Sequence, residues 1–334
     1  MSRPTLSAIM PNYNYGQYIG EALEAVLTQS FAADEVIVVD DASTDDSVSI
    51  IRQFMKKYPN LKLIMNETNM GAGYSLKKGL SIAKGDYFSA PGSDDKLLSG
   101  SFEKMMDILT RYPQSGLCSS DSLINKSGQI FENRSYLSDK LCYFPPDAVV
   151  ELYMREAFAP IQHNTLIMKR SAFNEAGGYI SRFKWQADSF VANVICFRHG
   201  FCYVPEPLAM VRMHSNQYGA SNAGKSRQER EVIKDMMDTL MTDPSYSDVL
   251  PKFKRTAPFS CYPWEVFMVA ISDRKCAGFL SFKLLKFAFF DKFIARPLRR
   301  IWAILPVPVI NILRGLFRGI KYLRSRANKR TGTF

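Results

Sequence analysis

Two adjacent aspartate pairs carry the clearest chemical potential in this chain. Asp40-Asp41 follows the apolar run Val36-Ile37-Val38-Val39, and Asp94-Asp95 lies shortly beyond Asp86-Tyr87-Phe88-Ser89-Ala90. Each pair concentrates like charge in a small volume, which is costly unless a cation or hydrogen-bond donors answer it. Short β-branched or aromatic runs that end in acidic residues read as buried parallel strands, and open α/β sheets bind ligands at the carboxyl ends of such strands. Two pairs on neighbouring strands therefore imply a site for a metal ion and a polar ligand. Gly71 and Gly73 would let backbone approach that ligand, although ordinary turn chemistry explains them as well.

The elements that must hold these residues alternate along residues 5–118. Leu6–Met10, Glu35–Val39, Leu61–Met65, Tyr87–Ala90 and Gly116–Ser120 read as strands. Gln17–Gln29, a segment opened by Ser43-Thr44-Asp45-Asp46, Tyr74–Ala83 and Phe102–Tyr112 read as helices, with Ser43 expected to cap the second. This alternation predicts a mainly parallel, doubly wound sheet with right-handed crossovers. Farther on, a hairpin is expected around Asn125–Gly128, a helix near Pro146–Ala157 and a strand at Thr165–Met168. A helix at Asp188–Phe197 and a short strand at Phe201–Val204 complete this part, and the remainder of 132–163 shows no pattern. Polar residues 215–230 mark a boundary, so the expected division is 1–225 and 226–334.

Hydrophobic content of 46% and charged content of 22% describe an ordinary globular protein. The six cysteines are dispersed without a CxxC pair, which argues against a zinc site or a disulfide scaffold and fits a reducing cytoplasm. No basic segment with a cleavage pattern stands at the start, so a secretory signal is not expected. Residues 273–334 hold 15 Lys/Arg against two acidic residues, whereas the other 272 residues hold 28 basic and 30 acidic groups. The net charge of +11 is thus a property of the tail. Such asymmetry points to an anionic partner.

The string Ala8-Ile9-Met10-Pro11-Asn12-Tyr13-Asn14 followed by Val38-Val39-Asp40-Asp41-Ala42-Ser43-Thr44-Asp45 resembles the family 2 glycosyltransferases of the GT-A fold. Asn69-Met70-Gly71, Gly79, Ala83-Lys84-Gly85-Asp86-Tyr87 and Ser93-Asp94-Asp95 continue the resemblance in order. So do Gly177-Gly178-Tyr179, Asp188, Pro205-Glu206-Pro207-Leu208 and Arg212-Met213-His214, and the likeness covers roughly residues 5–220. It implies an inverting, metal-dependent transfer from a nucleotide sugar on a Rossmann-like sheet flanked by helices. Pro11, Tyr13, Asp40, Asp41, Gly71, Lys77 and Asp94 would then bind the nucleotide. Tyr13 would stack on the base, Asp41 would accept its imide N–H, and Asp94 would face the ribose. Asp95, helped by His214, would hold Mg²⁺ or Mn²⁺ between the phosphates.

Asp188 would be the general base that takes the acceptor hydroxyl proton, with Trp185 and Phe183 shielding it. The bland readings remain beside these: a helix cap for Asp188, a turn for Asp121, a surface or core position for His214. The chain departs from the family pattern at Gly92, where many relatives have a further Asp, and at Ala187, where they often have Glu. No Arg stands near Leu76, which leaves Lys77 or Lys78 as phosphate neighbours. The absence of GxGxxG after the first strand argues against a dinucleotide-binding enzyme.

The tail interleaves Phe282, Leu284, Leu285, Phe287, Phe289, Phe290 and Phe293 with Lys283, Lys286 and Lys292. Ile301–Leu313 is apolar but broken by Pro306 and Pro308, and too short for a span that needs about 20 residues. Ile310, Leu313, Phe317, Ile320 and Leu323 fall at helical spacing beside Arg314, Arg318, Lys321 and Arg324. That pattern predicts a basic amphipathic helix lying on an anionic membrane surface, with packing on the catalytic domain as the alternative. Nucleic acid is not expected as a partner. The reading is a glycosyltransferase at the cytoplasmic face of the membrane acting on a lipid-linked or cell-surface glycan. The alternative is a non-catalytic nucleotide-sugar-binding or membrane-scaffold protein with a degenerate domain.

Overall fold

Strands β1 (Leu6–Asn12) and β2 (Glu35–Asp40) lie side by side in parallel, in register from Ser7 opposite Glu35 to Asn12 opposite Asp40. Both are almost wholly buried. A computed structural model describes residues 3–155, 161–214, 226–259, 263–290 and 292–293. The sheet order is β3 (Leu61–Met65), β2, β1, β4 (Tyr87–Ser89), β9 (Ile167–Lys169), β6 (Leu117–Lys126), β10 (Phe201–Met213), β5 (Lys96–Leu97). Strand β7 (Gln129–Asn133) pairs with β6, and β8 (Cys142–Phe144) pairs with β10. Of the main strands only β9 and the short β5 run antiparallel to their neighbours, so the expected mainly parallel sheet stands.

The period-2 alternation of β1 divides the core. Leu6, Ala8 and Met10 face helices α1 (Gly16–Leu27), α2 (Ser47–Lys57) and α4 (Ser101–Arg111), which bury Leu23, Ile51 and Phe102 there. Ile9 faces the opposite layer with Leu80 of α3 (Ala72–Ile82), Val149 of α5 (Pro146–Arg155) and Phe190 of α7 (Ala187–His199). Close approach fixes α3 on the sheet: a Cβ at Gly79 would lie 2.4 Å from Ile9 Cγ2. The short α6 (Arg170–Glu175) follows β9. After the described break come α8 (Ser226–Thr242), α9 (Leu250–Thr256), α10 (Pro263–Ser272) and α11 (Phe282–Phe290). Met236, Phe253, Val266 and Leu284 from these helices join the same core as Ile9 and Phe190. Burial of each such side chain contributes about 1.5–3 kcal/mol.

Several boundaries differ from expectation. β10 runs 13 residues rather than stopping at Val204. Its Pro205 and Pro207 are tolerated because the pairing with β6 shifts register on both sides of Pro207, which lies opposite Asp121, a bulge that leaves Pro205 outside the ladder. Ser43 does not cap α2; Asp45 accepts the Ser47 N–H at 3.0 Å and the Gly16 N–H at 2.7 Å instead. Residues 142–144 form a strand inside a stretch that shows no pattern in sequence. The hairpin at Asn125–Gly128 forms as expected, with Ser127 and Gly128 at positive φ. The five cysteines among the described residues are free thiols. None of the described helices is long and apolar enough to cross a membrane. The amphipathic pattern from Ile310 to Arg324 lies outside the described residues.

Candidate active site

The register of β1 and β2 brings their two carboxyl ends together, and side chains there stitch the loops. Asp40 accepts Asn12 Nδ2 at 2.8 Å, Ser43 Oγ at 2.7 Å and the Ser43 N–H at 2.9 Å. Asp40 is fully buried and all these bonds point inward, so it latches the loops instead of facing a ligand, contrary to expectation. Asp41 accepts Asn66 Nδ2 at 2.7 Å and the N–H groups of Met70 at 3.0 Å and Gly71 at 2.7 Å. Gly71 sits at φ +89°, a left-handed conformation that glycine adopts without strain, and aims its N–H at the carboxylate. Asp41 thereby shapes the Asn66–Gly71 loop. Tyr13 stands 43% exposed beside these loops, free to offer its ring face. Lys78 bonds Asn66 Oδ1 at 2.8 Å, whereas Lys77 reaches across to Ser181 Oγ at 3.1 Å, on the Asp188 side.

On the other side of β1, Ser93 Oγ donates to the Pro11 carbonyl at 2.5 Å and anchors the turn that carries Asp94 and Asp95. Asp95 is buried and accepts the Arg212 N–H at 3.0 Å and Asn164 Nδ2 at 3.3 Å. Burial, and then the neighbouring Asp94 charge, push its carboxyl up to about 6. Asp94 faces His214 Nε2 at 3.0 Å. The His214 ring stacks on Tyr18 at 5.1 Å and meets the edge of Tyr15 at 5.7 Å. Burial, followed by the charges of Asp94 and Asp95, raises the Tyr15 hydroxyl to about 12, so it remains a donor. Arg212 holds the Asp94 carbonyl at 2.7 Å, pairs with Glu21, and lies over Tyr18. β10 must run its full length to deliver Arg212 and His214 here.

Among the described residues, no three His, Cys, Asp or Glu side chains are gathered as a metal-holding group. Mg²⁺-type sites on nucleotides commonly take only one or two carboxylates, with phosphate oxygens and water completing the shell. A buried Asp95 with its pKa raised, the half-buried Asp94 next to it, and an imidazole beside them fit that smaller donor set.

Asp188 lies in the first turn of α7, where it accepts the Ser189 N–H at 2.6 Å through Oδ1. It is not the N-cap, which is Gln186. A cavity of about 110 Å³ adjoins it, walled by Leu76, Phe88, Leu166, Met168 and Tyr179, with His163 on the same wall. Phe183 does not line this cavity; its ring packs into the core against Phe190 at 4.7 Å. Ala90 on the cavity wall and Asn164 on Asp95 connect the two halves of the site. Asp121 spends Oδ1 on Tyr203 and the Ser135 N–H, both at 2.8 Å, from a buried position inside β6 and not from a turn.

Sequence reasoning assigned nothing to Tyr15, Tyr18, Asn164 or His163, and gave Arg212 no role of its own. Tyr15 and Tyr18, three apart at the start of a helix, carried a legible signal: one aromatic face beside the first strand's end. His163 and Asn164 carried none, because only folding brings their turn to Asp188 and Asp95.

The fold is a mainly parallel sheet with aspartate pairs at or beyond the ends of strands flanking β1 and a third aspartate on a separate small cavity. Residues 7–170, just under half of the chain, match the family model described as Glycosyl transferase family 2, and this segment belongs to that family. It is 30% identical over 181 residues to the putative glycosyltransferase EpsE of Bacillus subtilis, covering 54% of this chain and 62% of that protein. It is 30% identical over 141 residues to the putative teichuronic acid biosynthesis glycosyltransferase TuaG of the same species, covering 42% and 56%. The chain thus spans less than two thirds of these relatives' lengths. The GT-A fold is shared with the crystal structure of S. aureus TarS 1–349 in complex with UDP-GlcNAc, at TM-score 0.62 and 19% identity, covering 76% of this chain and 71% of that one. It is shared also with the mannosyltransferase PcManGT from Pyrobaculum calidifontis in complex with GDP-Man and Mn²⁺, at TM-score 0.55 and 20% identity, covering 86% and 79%.

Proposed function

We propose that the chain is an inverting, divalent-metal-dependent glycosyltransferase that moves a sugar from a nucleoside-diphosphate sugar to an acceptor hydroxyl. The observation that carries this reading is the gathering of Tyr13, Asp41, Asp94, Asp95, His214 and Asp188 around one end of the sheet, linked through Asn164. Tyr13 and the Asp41-braced loop receive the base, Asp94 faces the ribose, and Asp95 with His214 holds Mg²⁺ or Mn²⁺. Such an ion, when bound, screens the diphosphate and stabilises the charge that develops on the departing nucleotide. Asp188, half-exposed beside the apolar cavity, takes the proton from the attacking hydroxyl.

The acceptor is a lipid-linked or cell-surface glycan, in keeping with the teichuronic acid assignment of one relative. The chain works from the cytoplasmic face of the membrane. Phe282, Phe289, Phe290 and Phe293 stand exposed near Lys286 and Lys292, a surface that suits an anionic interface.

The test is nucleotide release from UDP-GlcNAc and GDP-mannose with Mn²⁺ and candidate acceptors. Asp95→Asn and Asp188→Asn should each lose about a hundredfold or more in turnover. Full activity in both variants would overturn the residue roles. Metal-dependent nucleotide binding by the native chain without transfer would favour the non-catalytic reading.

A further inference from the structure

We infer that His163 is the positioning residue for Asp188, orienting the carboxylate through an Nδ1–H that the Asp188 charge selects and the Ser189 hydroxyl complements; this rests on the transferase reading above. The short 3₁₀ turn His163–Thr165 is fixed to β6: Thr165 Oγ1 donates to the Ser120 carbonyl at 2.8 Å and accepts the Ser120 N–H at 3.1 Å. Asn164 holds Asp95 from the same turn. His163 Nε2 lies 3.1 Å from Ser189 Oγ. The other ring nitrogen, Nδ1, is buried with no hydrogen-bond partner, and Asp188 Oδ2 lies 3.7 Å from it.

A neutral imidazole carries one N–H and one lone pair. With the lone pair on Nδ1, two electron-rich atoms would face each other in a buried place. With the lone pair on Nε2, the Ser189 hydroxyl donates to it and the N–H points at Asp188. Electrostatics therefore selects the Nδ1–H tautomer. The 3.7 Å separation is longer than a formed hydrogen bond. Catalytic contacts of this kind commonly tighten when substrate arrives. Asp188 is then held from two sides, by the Ser189 N–H on Oδ1 and by His163 on Oδ2. A histidine kept only for packing would have its buried nitrogen satisfied. The other titratable group on the cavity wall is Tyr179, whose hydroxyl burial, with the Asp188 charge, pushes above its usual range, so it stays protonated.

Two measurements test this. The chain has only three histidines, His163, His199 and His214, so ¹⁵N imidazole spectra are readily assigned by single replacement. In the native chain without donor, His163 should appear as the Nδ1–H tautomer. In Asp188→Asn the Nδ1–H preference should weaken and the two tautomers draw closer in population, since the charge facing Nδ1 is gone. The opposite tautomer in the native chain, or an unchanged tautomer ratio in Asp188→Asn, overturns the inference whatever the enzyme transfers.

In Mn²⁺-dependent nucleotide release from UDP-GlcNAc or GDP-mannose, His163→Ala should lower kcat about 10- to 100-fold with donor KM and thermal midpoint unchanged. Ser189→Ala should lose about 3- to 10-fold, because the Nε2 lone pair loses its donor and the ring is held less firmly. In the Asp188→Asn background, His163→Ala should cost nothing further, because both act through one carboxylate. Equal losses in the two backgrounds would show an independent structural role and overturn the proposal. Coupling in the spectra with no turnover of either donor by the native chain would overturn the transferase reading and, with it, the catalytic part of this inference.

Discussion

The two aspartate pairs occupy matching places, at or just beyond the ends of strands on either side of β1, and the protein treats them oppositely. Asp40 and Asp41 are answered by neutral donors from Asn12, Ser43, Asn66, Met70 and Gly71, all within 3.0 Å. Asp94 and Asp95 meet fewer donors at 3.0–3.3 Å, and Asp95 is left with its carboxyl raised to about 6. Like sequence features therefore do unlike work. A charge saturated by backbone and amide donors builds a loop. A buried charge without enough compensation is where a cation gains most by binding.

The largest effect that separates the pairs should be on stability. Asp40→Ala strands the buried Asn12 amide and leaves the half-buried Ser43 N–H without its acceptor, which should cost about 2–3 kcal/mol. A thermal midpoint several degrees lower, measured by calorimetry in EDTA, is the expected result; an unchanged midpoint would remove Asp40 as a latch. Asp95→Asn should do the reverse. Its thermal midpoint in EDTA at neutral pH should match or exceed that of the native chain.

The pH dependence gives this a sign. Asp95 holds its proton up to about pH 6 in the folded chain, against an ordinary value of 3.8. Its contribution to stability is therefore complete below about pH 4 and is lost as the pH rises through 6. On the order of 2 kcal/mol should disappear across that window in the native chain but not in Asp95→Asn. Identical pH slopes for the two proteins, followed as thermal midpoints in EDTA, would sink the account of Asp95 as an uncompensated carboxylate.

Much of this fold could be read in the chain because its central strands announce themselves. Val36–Val39 is apolar without interruption and Leu6–Met10 is broken only by Ser7, and a strand buried on both faces needs little else. Asp94, Asp95 and His214 were legible as chemistry because acidic residues and a histidine near strand ends have few structural uses. What stayed hidden depends on distant partners. Pro205 and Pro207 argued for the end of β10, and only the bulge against β6 shows why the strand continues to Met213. Ser43 has the form of a cap, yet Asp40 lies close enough to claim it. His163 gains its place from Thr165 on β6 and Ser189 on α7, contacts that no local spacing encodes.

Two glycines offer the finest division between the pairs. Gly71, at φ +89° with open space around its missing Cβ, serves Asp41 through its backbone alone. Gly71→Ala should cost about 1–3 kcal/mol, because φ +89° with ψ 154° is open essentially to glycine alone, and should loosen the base-side loop. UDP or GDP affinity should fall equally with and without Mn²⁺. Gly92 has an ordinary backbone but little room: a Cβ there would sit 2.8 Å from Asp94 Oδ1 and 3.1 Å from Asp95 Oδ2. These atoms are carboxylate tips that can yield by a few tenths of an ångström, so the fold should be untouched. A metal shell tolerates such displacement poorly, since Mg²⁺-type coordination demands near-ideal geometry. Gly92→Ala should therefore weaken only the Mn²⁺-dependent part of nucleotide binding, by about 3- to 5-fold, or ~1 kcal/mol. Isothermal titration in Mn²⁺ and in EDTA separates the cases. If Gly92→Ala weakened binding equally in both, the second aspartate pair would be serving the nucleotide directly, and the contrast between the pairs would shrink to one of degree.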